Sequence, residues 1–403
     1  MKWLDAMVIG AGPAGAAAAG LLARAGWSVA IVEKAPFPRR KVCGEFISAT
    51  SLPLLRALGV ERGYVERAGP PVRQVGLYCG KAMLAADMPR APQGPDTLGR
   101  ALGREHFDGL LLQAAVDAGA QLWQPWSLTA LEKAEQGFCG TLLGKDRRES
   151  ARLQARIVVA AHGSWEHGAL PTQTPDAPAR ASDLFAFKAH FLGASLPAGL
   201  MPLLAFAGGY GGMVHADGGR VSLSCCIRRD MLARSRRSFP RVKAADAVIA
   251  YIRAACRGVD AALTGATRDG AWLSAGPIRP GVRPFRDDGI FAVGNAAGEA
   301  HPIVAEGISM ALQSAWLLCD QLIAHQDEVV AGSGKEAVAH AYASAWRRNF
   351  LPRVRAAAVF AQLAMRPLPA TIITAALQRV PALLTLGAAL SGKTRALSVT
   401  QRP

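Results

Sequence analysis

The apolar positions at the start of the chain follow two different periods. The mostly apolar run Leu4–Ile9 predicts a buried strand, and the alanine-rich stretch that ends near Gly26 predicts a helix. Residues 28–32 form another apolar run and predict a second strand. The chain therefore begins with a strand, a turn, a helix and a strand, and glycines occupy the turn.

Two kinds of strand are predicted further along. Residues 157–161 form a fully apolar run, typical of a central parallel strand. Residues 185–191 and 221–227 alternate between apolar and polar positions, which predicts an antiparallel sheet. Residues 72–88 alternate like a hairpin with its turn near Gly80 and Lys81.

Helices are predicted where the apolar period changes to that of one helical face. Residues 104–119 show this pattern most strongly, and Gly119 is the expected end of that helix. A helix around residues 244–256 is expected to pack outside the antiparallel sheet. A strand that ends in a glycine loop, residues 289–298, precedes a long helix over residues 307–322.

Composition narrows the class of protein. The chain has 403 residues, about half of them hydrophobic, which favours two or three domains with a large buried core. The seven cysteines include no C-x-x-C pair, so neither a disulfide framework nor a metal site is predicted. We read no secretory signal, and a cytoplasmic location fits best.

The formal net charge of +16 is partly local to the C-terminal region. No acidic residue follows Glu336, whereas nine basic residues do, up to Arg402. Mixed with apolar residues, they indicate amphipathic helices with a basic face, either at the inner face of an anionic membrane or against an acidic substrate carrier. The alternative is a solvated basic surface. Few aromatic residues accompany the charges, so nucleic acid is not an expected partner.

The turn after the first strand carries a Gly-x-Gly-x-x-Gly motif. Gly10 fits a tight turn, Gly12 leaves room for a pyrophosphate, and Gly15 lets the helix pack closely on the strand. Glu33 follows the second strand, where an acidic side chain binds a ribose hydroxyl. An acidic residue at this position indicates FAD or NAD rather than NADP.

The separated motifs resemble the FAD-dependent superfamily of p-hydroxybenzoate-hydroxylase-like monooxygenases, geranylgeranyl reductases and flavin-dependent halogenases. The resemblance covers roughly residues 1–345 and implies FAD as the cofactor. The residues that it implies for FAD binding are Gly10, Gly12, Ala14, Gly15, Glu33, Arg40, Cys43, Gly44, Arg104, Gly294, Asn295, Pro302, Gly307 and Ile308.

Pattern and resemblance together predict an α/β fold, α+β overall, in three parts. Residues 1–68, 97–176 and 285–345 are expected to form a Rossmann-like FAD-binding domain with a parallel sheet. Residues 69–96 and 177–284 are expected to form an antiparallel substrate-binding sheet, and residues 346–403 a basic, amphipathic helical segment.

Three features of the sequence help to distinguish among the branches of this superfamily. Aromatic hydroxylases usually carry Asp-Gly where this chain has His162 and Gly163, which weakens the case for NAD(P)H as the electron donor. Residues 41–45 resemble the Lys-x-Cys-Gly-acidic segment of geranylgeranyl reductases. The tryptophan signature of halogenases is missing, and Lys81, their only candidate lysine, falls in a predicted hairpin turn.

Each catalytic candidate has a structural alternative. Cys43 is either a flavin-facing thiol or a small packed residue, and Glu45 either orients substrate or caps the following helix. His301 is expected near the flavin ring as an acid or base. Lys188 and His190 alternate with phenylalanines on a predicted strand, so they face either a pocket or solvent, and each taken alone is expected to face solvent.

The sequence thus predicts an FAD-dependent monooxygenase that hydroxylates or epoxidises a hydrophobic or carrier-bound substrate. Tyr210 and Lys188 are its candidate substrate-binding residues. The alternative is a reductase or desaturase of carbon–carbon double bonds, and the third hypothesis is an electron-transfer flavoprotein.

Overall fold

The computed structural model describes residues 3–91, 94, 97–163, 168, 170–173, 178–394 and 396–397. The expected boundary at residues 176 and 177 and the basic residues Arg395 and Arg402 lie outside them. The strands are β1 (Leu4–Ile9), β2 (Val29–Val32), β3 (Phe46–Ile47), β4 (Gln74–Cys79), β5 (Ala82–Asp87), β6 (Arg100–Ala101), β7 (Gln121–Trp123), β8 (Trp126–Ala134), β9 (Gly137–Gly144), β10 (Ser150–Ala160), β11 (Leu184–Leu192), β12 (Leu200–Phe206), β13 (Gly209–His215), β14 (Val221–Arg228), β15 (Thr267–Ile278), β16 (Gly281–Val282), β17 (Ile290–Ala292) and β18 (Gly298–Glu299). The α-helices are α1 (Pro13–Arg24), α2 (Leu52–Ala57), α3 (Glu61–Arg67), α4 (Arg104–Asp117), α5 (Arg229–Ser238), α6 (Ala244–Ala255), α7 (Arg257–Leu263), α8 (Gly307–Ala324), α9 (Gln326–Val330), α10 (Lys335–Ala364), α11 (Pro367–Arg379) and α12 (Ala382–Ala388).

The first sheet has the order β7-β2-β1-β10-β9-β8, and β17 also pairs with β10. Strands β7, β2, β1, β10 and β17 are parallel to their neighbours in this series, whereas β8, β9 and the first half of β10 form an antiparallel meander. Ala6, Val8, Ile157 and Val159 pack with α1, α4 and α8 in one core. The buried parallel strand predicted for residues 157–161 is confirmed, as is the α/β fold class.

The second sheet has the order β15-β11-β14-β13-β12-β4-β5. Its neighbours are antiparallel except β4 and β12, which are parallel because the chain leaves the sheet after β5 and returns much later. Phe187, Leu223 and Ile227 pack with Val248 of α6 in a core on one face. The hairpin expected for residues 72–88 is present as β4 and β5, and its turn is Gly80 and Lys81.

The C-terminal helices connect the two sheets. Helix α10 packs against α8 of the first layer, and α11 and α12 lie on the β4–β5 hairpin of the second sheet. A π-helical turn, Ala389–Lys393, then brings the chain back to α10 and to the short 3-10 helix Pro302–Val304.

Candidate active site

A cavity of about 480 Å³ lies between the two sheets. That volume is within the usual range for small-molecule and cofactor sites. Twelve of the residues expected to bind FAD line it, namely Gly10, Gly12, Ala14, Glu33, Cys43, Gly44, Arg104, Gly294, Asn295, Pro302, Gly307 and Ile308. The structure therefore brings together segments that are almost 300 residues apart in the chain.

The glycine turn leaves one open position beside the N-terminus of α1. Gly10 has φ +99°, and a Cβ there would lie 2.8 Å from the Ala161 carbonyl oxygen. A Cβ on Gly15 would lie 1.9 Å from the Gly10 oxygen, so both positions exclude a side chain. A Cβ on Gly12 would meet only the Arg104 guanidinium, 3.7 Å away. This open space, next to the unpaired N–H groups of the helix, fits a pyrophosphate.

Glu33 lies at the carboxyl end of β2, at the cavity wall. Its carboxylate accepts hydrogen bonds from the backbone N–H groups of Ala11 (2.9 Å) and Ala35 (2.8 Å). The side chain is nearly buried and also contacts Arg39 at 3.1 Å. A carboxylate fixed in this way is in position to accept from ribose hydroxyls.

Arg104 begins α4 and reaches the cavity beside Gly12. It donates two hydrogen bonds to Asp108, at 2.6 and 2.8 Å. Burial alone would lower the pKa of Arg104, but the Asp108 carboxylate outweighs it and raises the pKa above its usual range. The Cys43 thiol lies near the Arg104 guanidinium, and both residues line the cavity.

Arg40, which the resemblance implies for FAD binding, is not among the residues that line the cavity. Its guanidinium contacts the carboxylates of Asp269 (2.9 Å) and Glu105 (3.2 Å), while its neighbours Arg39 and Lys41 line the cavity. Consecutive side chains of an extended segment point to opposite sides, so the cavity receives the residues on either side of Arg40. Burial, together with the nearby Arg39, lowers the pKa of Lys41 to about 8.

Glu45, Lys188 and His190 form a charged cluster under the cavity. Glu45 is fully buried at φ +65° and accepts from His190 Nε2 at 2.7 Å, and it forms an ion pair with the buried Lys188. Burial alone would raise the pKa of Glu45, but the bond from His190 and the charge of Lys188 lower it to about 2. Glu45 also caps α4 through the N–H of Arg104, at 3.1 Å, rather than the helix that follows it in the chain.

The expectation that Lys188 and His190 face solvent is wrong. Both are on the face of β11 opposite Phe187, as the alternation predicts, but the first layer covers that face. Lys188 is fully buried and His190 is 2% exposed. Strand alternation determines which residues share a face, and it carries no information about what packs on that face.

Tyr210, Cys226 and His301 form a neutral cluster at the cavity wall. The hydroxyl of Tyr210 lies 3.1 Å from His301 Nδ1, and Cys226 is the partner of Tyr210 across β13 and β14. Burial lowers the pKa of His301 to about 4. Burial raises the pKa of Tyr210 and of Cys226, and the Glu299 carboxylate raises both further. At neutral pH all three side chains are uncharged.

The loop between β18 and α8 closes the cavity, and its contacts include a residue that we did not predict. The Lys393 ammonium donates to the Val304 carbonyl oxygen (2.6 Å) and lies 3.2 Å from Glu306 Oε1. Glu306 is fully buried and also accepts from Ser48 at 3.2 Å. Lys393 was visible in sequence only as one of the basic C-terminal residues, and Cys226 only as part of an alternating strand.

Lys81, the candidate halogenase lysine, is exposed at the β4–β5 turn and does not line the cavity. His162 does line it, and its Nε2 lies 2.7 Å from the Thr172 carbonyl oxygen. The polar groups at the second-sheet end of the cavity include those of the neutral cluster, Glu45, Ser224 and Glu299. The apolar lining of that end comes from Ala186, Met201, Leu203, Met213, Val214 and Ile278.

A family model described as an FAD binding domain matches residues 4–356. Residues of this chain are 35% identical to the menaquinone reductase of Mycolicibacterium smegmatis over 119 positions, which make up 29% of this chain and 28% of that protein. A longer match, 27% identical over 336 positions, is to digeranylgeranylglycerophospholipid reductase 1 of Methanopyrus kandleri, and it covers 76% of this chain and 77% of that protein.

Solved structures with different chemistry share this fold. The myxobacterial chondrochloren halogenase CndH superposes with a TM-score of 0.78 at 20% identity, covering 97% of this chain and 91% of the halogenase. PqsL of Pseudomonas aeruginosa, a probable FAD-dependent monooxygenase, gives 0.69 at 19% identity over 91% of this chain and 98% of PqsL. At these identities the likeness establishes the fold alone.

Proposed function

We propose that this chain, which belongs to the FAD-binding domain family and is an FAD-dependent oxidoreductase, is a monooxygenase that hydroxylates a hydrophobic phenol. The observation that carries the proposal is the neutral cluster of Tyr210, Cys226 and His301 beside the apolar lining at the second-sheet end of the cavity. The three side chains are uncharged at neutral pH and can form hydrogen bonds. This end of the cavity therefore suits a lipophilic molecule with a hydroxyl group.

The residues present fit FAD. The open space at Gly12 and the N-terminus of α1 suit the pyrophosphate, and Glu33 suits the ribose of the adenosine half. The long helix α8 begins directly after the loop that Lys393 contacts. The backbone N–H groups at the N-terminus of α8 suit the flavin ring. Flavin supplies the oxidising chemistry, and the protein supplies binding, orientation and exclusion of water.

The neutral cluster can hold a substrate hydroxyl by hydrogen bonds. When His301 donates from Nδ1 to Tyr210, the Tyr210 hydroxyl can donate to the Cys226 thiol, and Nε2 of His301 is then an acceptor. Nε2 has no hydrogen-bond partner among the residues that the structure describes. A phenol hydroxyl that donates to Nε2 gains electron density on its ring, and an electron-rich ring is the better target for electrophilic oxygen.

The low acidity of the same groups argues against a proton-donor role. Reduction of a carbon–carbon double bond needs hydride and a proton, and the proton must come from an acid that releases it readily. Tyr210 and Cys226 both have raised pKa values, so both are weak acids here. Neither group is therefore suited to supply that proton.

A carbon–carbon double-bond reductase is the second candidate function, and a separate observation favours it. Cys43 belongs to the segment that resembles geranylgeranyl reductases, and it lies at the cavity wall in contact with Arg104. The relative that spans three-quarters of this chain is named a digeranylgeranylglycerophospholipid reductase. In this case Cys43 is the expected proton donor.

Two variants and one labelled reactant separate these functions. Reduced holoprotein would be mixed with isotopically labelled dioxygen and phenols of increasing alkyl chain length, and without oxygen with polyprenyl alkenes. A monooxygenase yields a product with one labelled oxygen atom, and its yield falls in His301→Ala but not in Cys43→Ser. Alkene reduction without oxygen, lost in Cys43→Ser and kept in His301→Ala, would replace the proposal with the reductase.

A further inference from the structure

The C-terminal helices α11 and α12 are apolar on two faces. The inner face packs on the β4–β5 hairpin through Leu377, Leu384 and Ala388. We call residues 367–392 the interfacial segment. It lies between Arg366 and Lys393, and Arg379 is its one charged residue. A helix that is apolar all round is normally covered on every side.

The outer face of the interfacial segment is uncovered among the described residues. Six of its large apolar side chains are exposed, namely Leu368 (78%), Ile372 (69%), Leu390 (59%), Leu386 (53%), Val380 (48%) and Leu383 (42%). Scattered exposed apolar residues are normal on a protein surface, but a concentration on one short segment marks an interaction surface.

The charges beside the interfacial segment indicate what covers it. Arg366 is exposed directly before the segment and Arg379 within it, and Arg347, Arg348 and Arg355 are exposed on the preceding helix α10. No acidic residue follows Glu336. Two copies of the chain would bring these cations together without compensation, which disfavours a symmetric dimer at this surface. A bilayer surface with anionic headgroups offers both an apolar layer and the complementary charge.

The length and the bend of the helices bear on how the segment would meet a bilayer. No single helix of the described residues is long and apolar enough to span a membrane. Helices α10 and α11 pass that test only as a pair, and they are bent by 102° with respect to each other. We propose that α11 and α12 form an interfacial anchor that docks this enzyme on an anionic lipid bilayer.

The anchor is also bonded to the active-site cavity. Lys393, directly after the interfacial segment, donates to Val304 and contacts Glu306 in the loop that closes the cavity. Docking would hold the cavity at the surface in which a lipophilic phenol dissolves. The proposal goes beyond the reaction, because it concerns where the enzyme meets its substrate.

The test is co-sedimentation of FAD-loaded protein with vesicles of phosphatidylcholine, with and without phosphatidylglycerol. We expect binding to the anionic vesicles that weakens at high salt. The double variant Ile372→Glu/Leu386→Glu should lower vesicle partitioning by about tenfold or more. The matched control is Leu192→Glu/Val242→Glu, which adds the same charge at exposed apolar positions elsewhere and should bind like the parent.

Three results would overturn the anchor. The first is equal binding by the two double variants, and the second is no binding by the parent protein. The third is a protein that does not bind vesicles but instead binds an acidic acyl carrier protein or self-associates, where the Ile372→Glu/Leu386→Glu variant abolishes that interaction. Flavin absorbance verifies folding. Turnover of a short-chain, water-soluble phenol should be unchanged in both variants, so loss of docking is distinguishable from failure of the proposed reaction.

Discussion

Two buried polar clusters lie on the same face of the second sheet, and they differ in charge. The charged cluster contains a carboxylate, a lysine and a histidine within bonding distance of one another. The neutral cluster contains a tyrosine, a cysteine and a histidine and borders the cavity. Burial is costly for any isolated ion, so charge survives inside this protein where the partners are complete.

The two histidines show the difference most clearly. His190 Nε2 lies 2.7 Å from a carboxylate of low pKa, while His301 faces a tyrosine hydroxyl and has a pKa of about 4. The charged cluster joins the loop at Glu45, the start of α4 and strand β11, and so it holds the two layers together. The neutral cluster also connects the second sheet to the loop that carries His301, but it does so without an ion pair, and all three of its side chains line the cavity.

The largest expected effect is on stability and comes from the charged cluster. Lys188→Met leaves the Glu45 carboxylate buried without its cation and should lower the free energy of unfolding by about 3 to 5 kcal/mol. Urea denaturation of the FAD-loaded protein measures it. Arg228→Met, which breaks an exposed pair with Asp230, is the control and should cost less than about 1 kcal/mol. Similar losses of unfolding free energy in Lys188→Met and Arg228→Met would contradict the distinction between the buried charged cluster and an exposed ion pair.

The charged cluster also predicts how stability depends on acid. The pKa of Glu45 is lowered from 4.5 to about 2, so its stabilising contribution is complete above pH 4.5 and is lost as the pH falls toward 2. The parent protein should be more stable than Glu45→Gln at neutral pH, and most of that difference should disappear across this window. If the difference in stability between the parent protein and Glu45→Gln stayed constant with pH, the Glu45 carboxylate would not titrate as part of its ion pair with Lys188. Unfolding curves at stepped pH values measure it.

The neutral cluster should dominate turnover instead. His301→Ala should lower kcat by about a hundredfold, the low end of the effect of a general acid or base. Its effect on urea denaturation should be small. Because the folded pKa of His301 is about 4, kcat/KM of the parent should stay level through pH 6.5 and fall only near pH 4. A fall centred on pH 6.5 would show a solvated or charged histidine.

The smallest effect is expected from the tyrosine. Tyr210→Phe keeps the ring and removes the hydroxyl that contacts His301, a loss of about 1 kcal/mol of hydrogen bonding or roughly fivefold in kcat. Steady-state kinetics with the best phenol of the series measures it. A loss as large as that of His301→Ala would make Tyr210, rather than His301, the group that contacts the substrate.

Local sequence predicted several backbone features of the fold, and two of them border the cavity. The turn at Gly10 to Gly15, the start of α4 at Arg104 and the hairpin turn at Gly80 each depend on neighbours close in the chain. Alternation also identified the face that Lys188 and His190 share.

The errors and omissions arise from contacts between distant residues. Glu45 and His190 are 145 residues apart, and nothing in either segment announces the other. Cys226 lies beside Tyr210 only once β13 and β14 have paired, so the sequence of neither strand predicts the contact. The carboxylate partners of Arg40 also come from distant parts of the chain, one from α4 and one from β15. A strand pattern predicts a face, and the fold decides whether another layer covers it.

The bond between Lys393 and the loop at Val304 also bears on the order of assembly during synthesis. Lys393 is separated from Glu306 by 87 residues and is therefore synthesised well after it. N-terminal parts of a chain emerge and fold first. The nascent protein can therefore form the glycine turn long before the cation that neutralises Glu306 arrives. Full retention of cofactor should require a chain that includes Lys393, and ribosome-bound intermediates that end before it should exchange FAD readily.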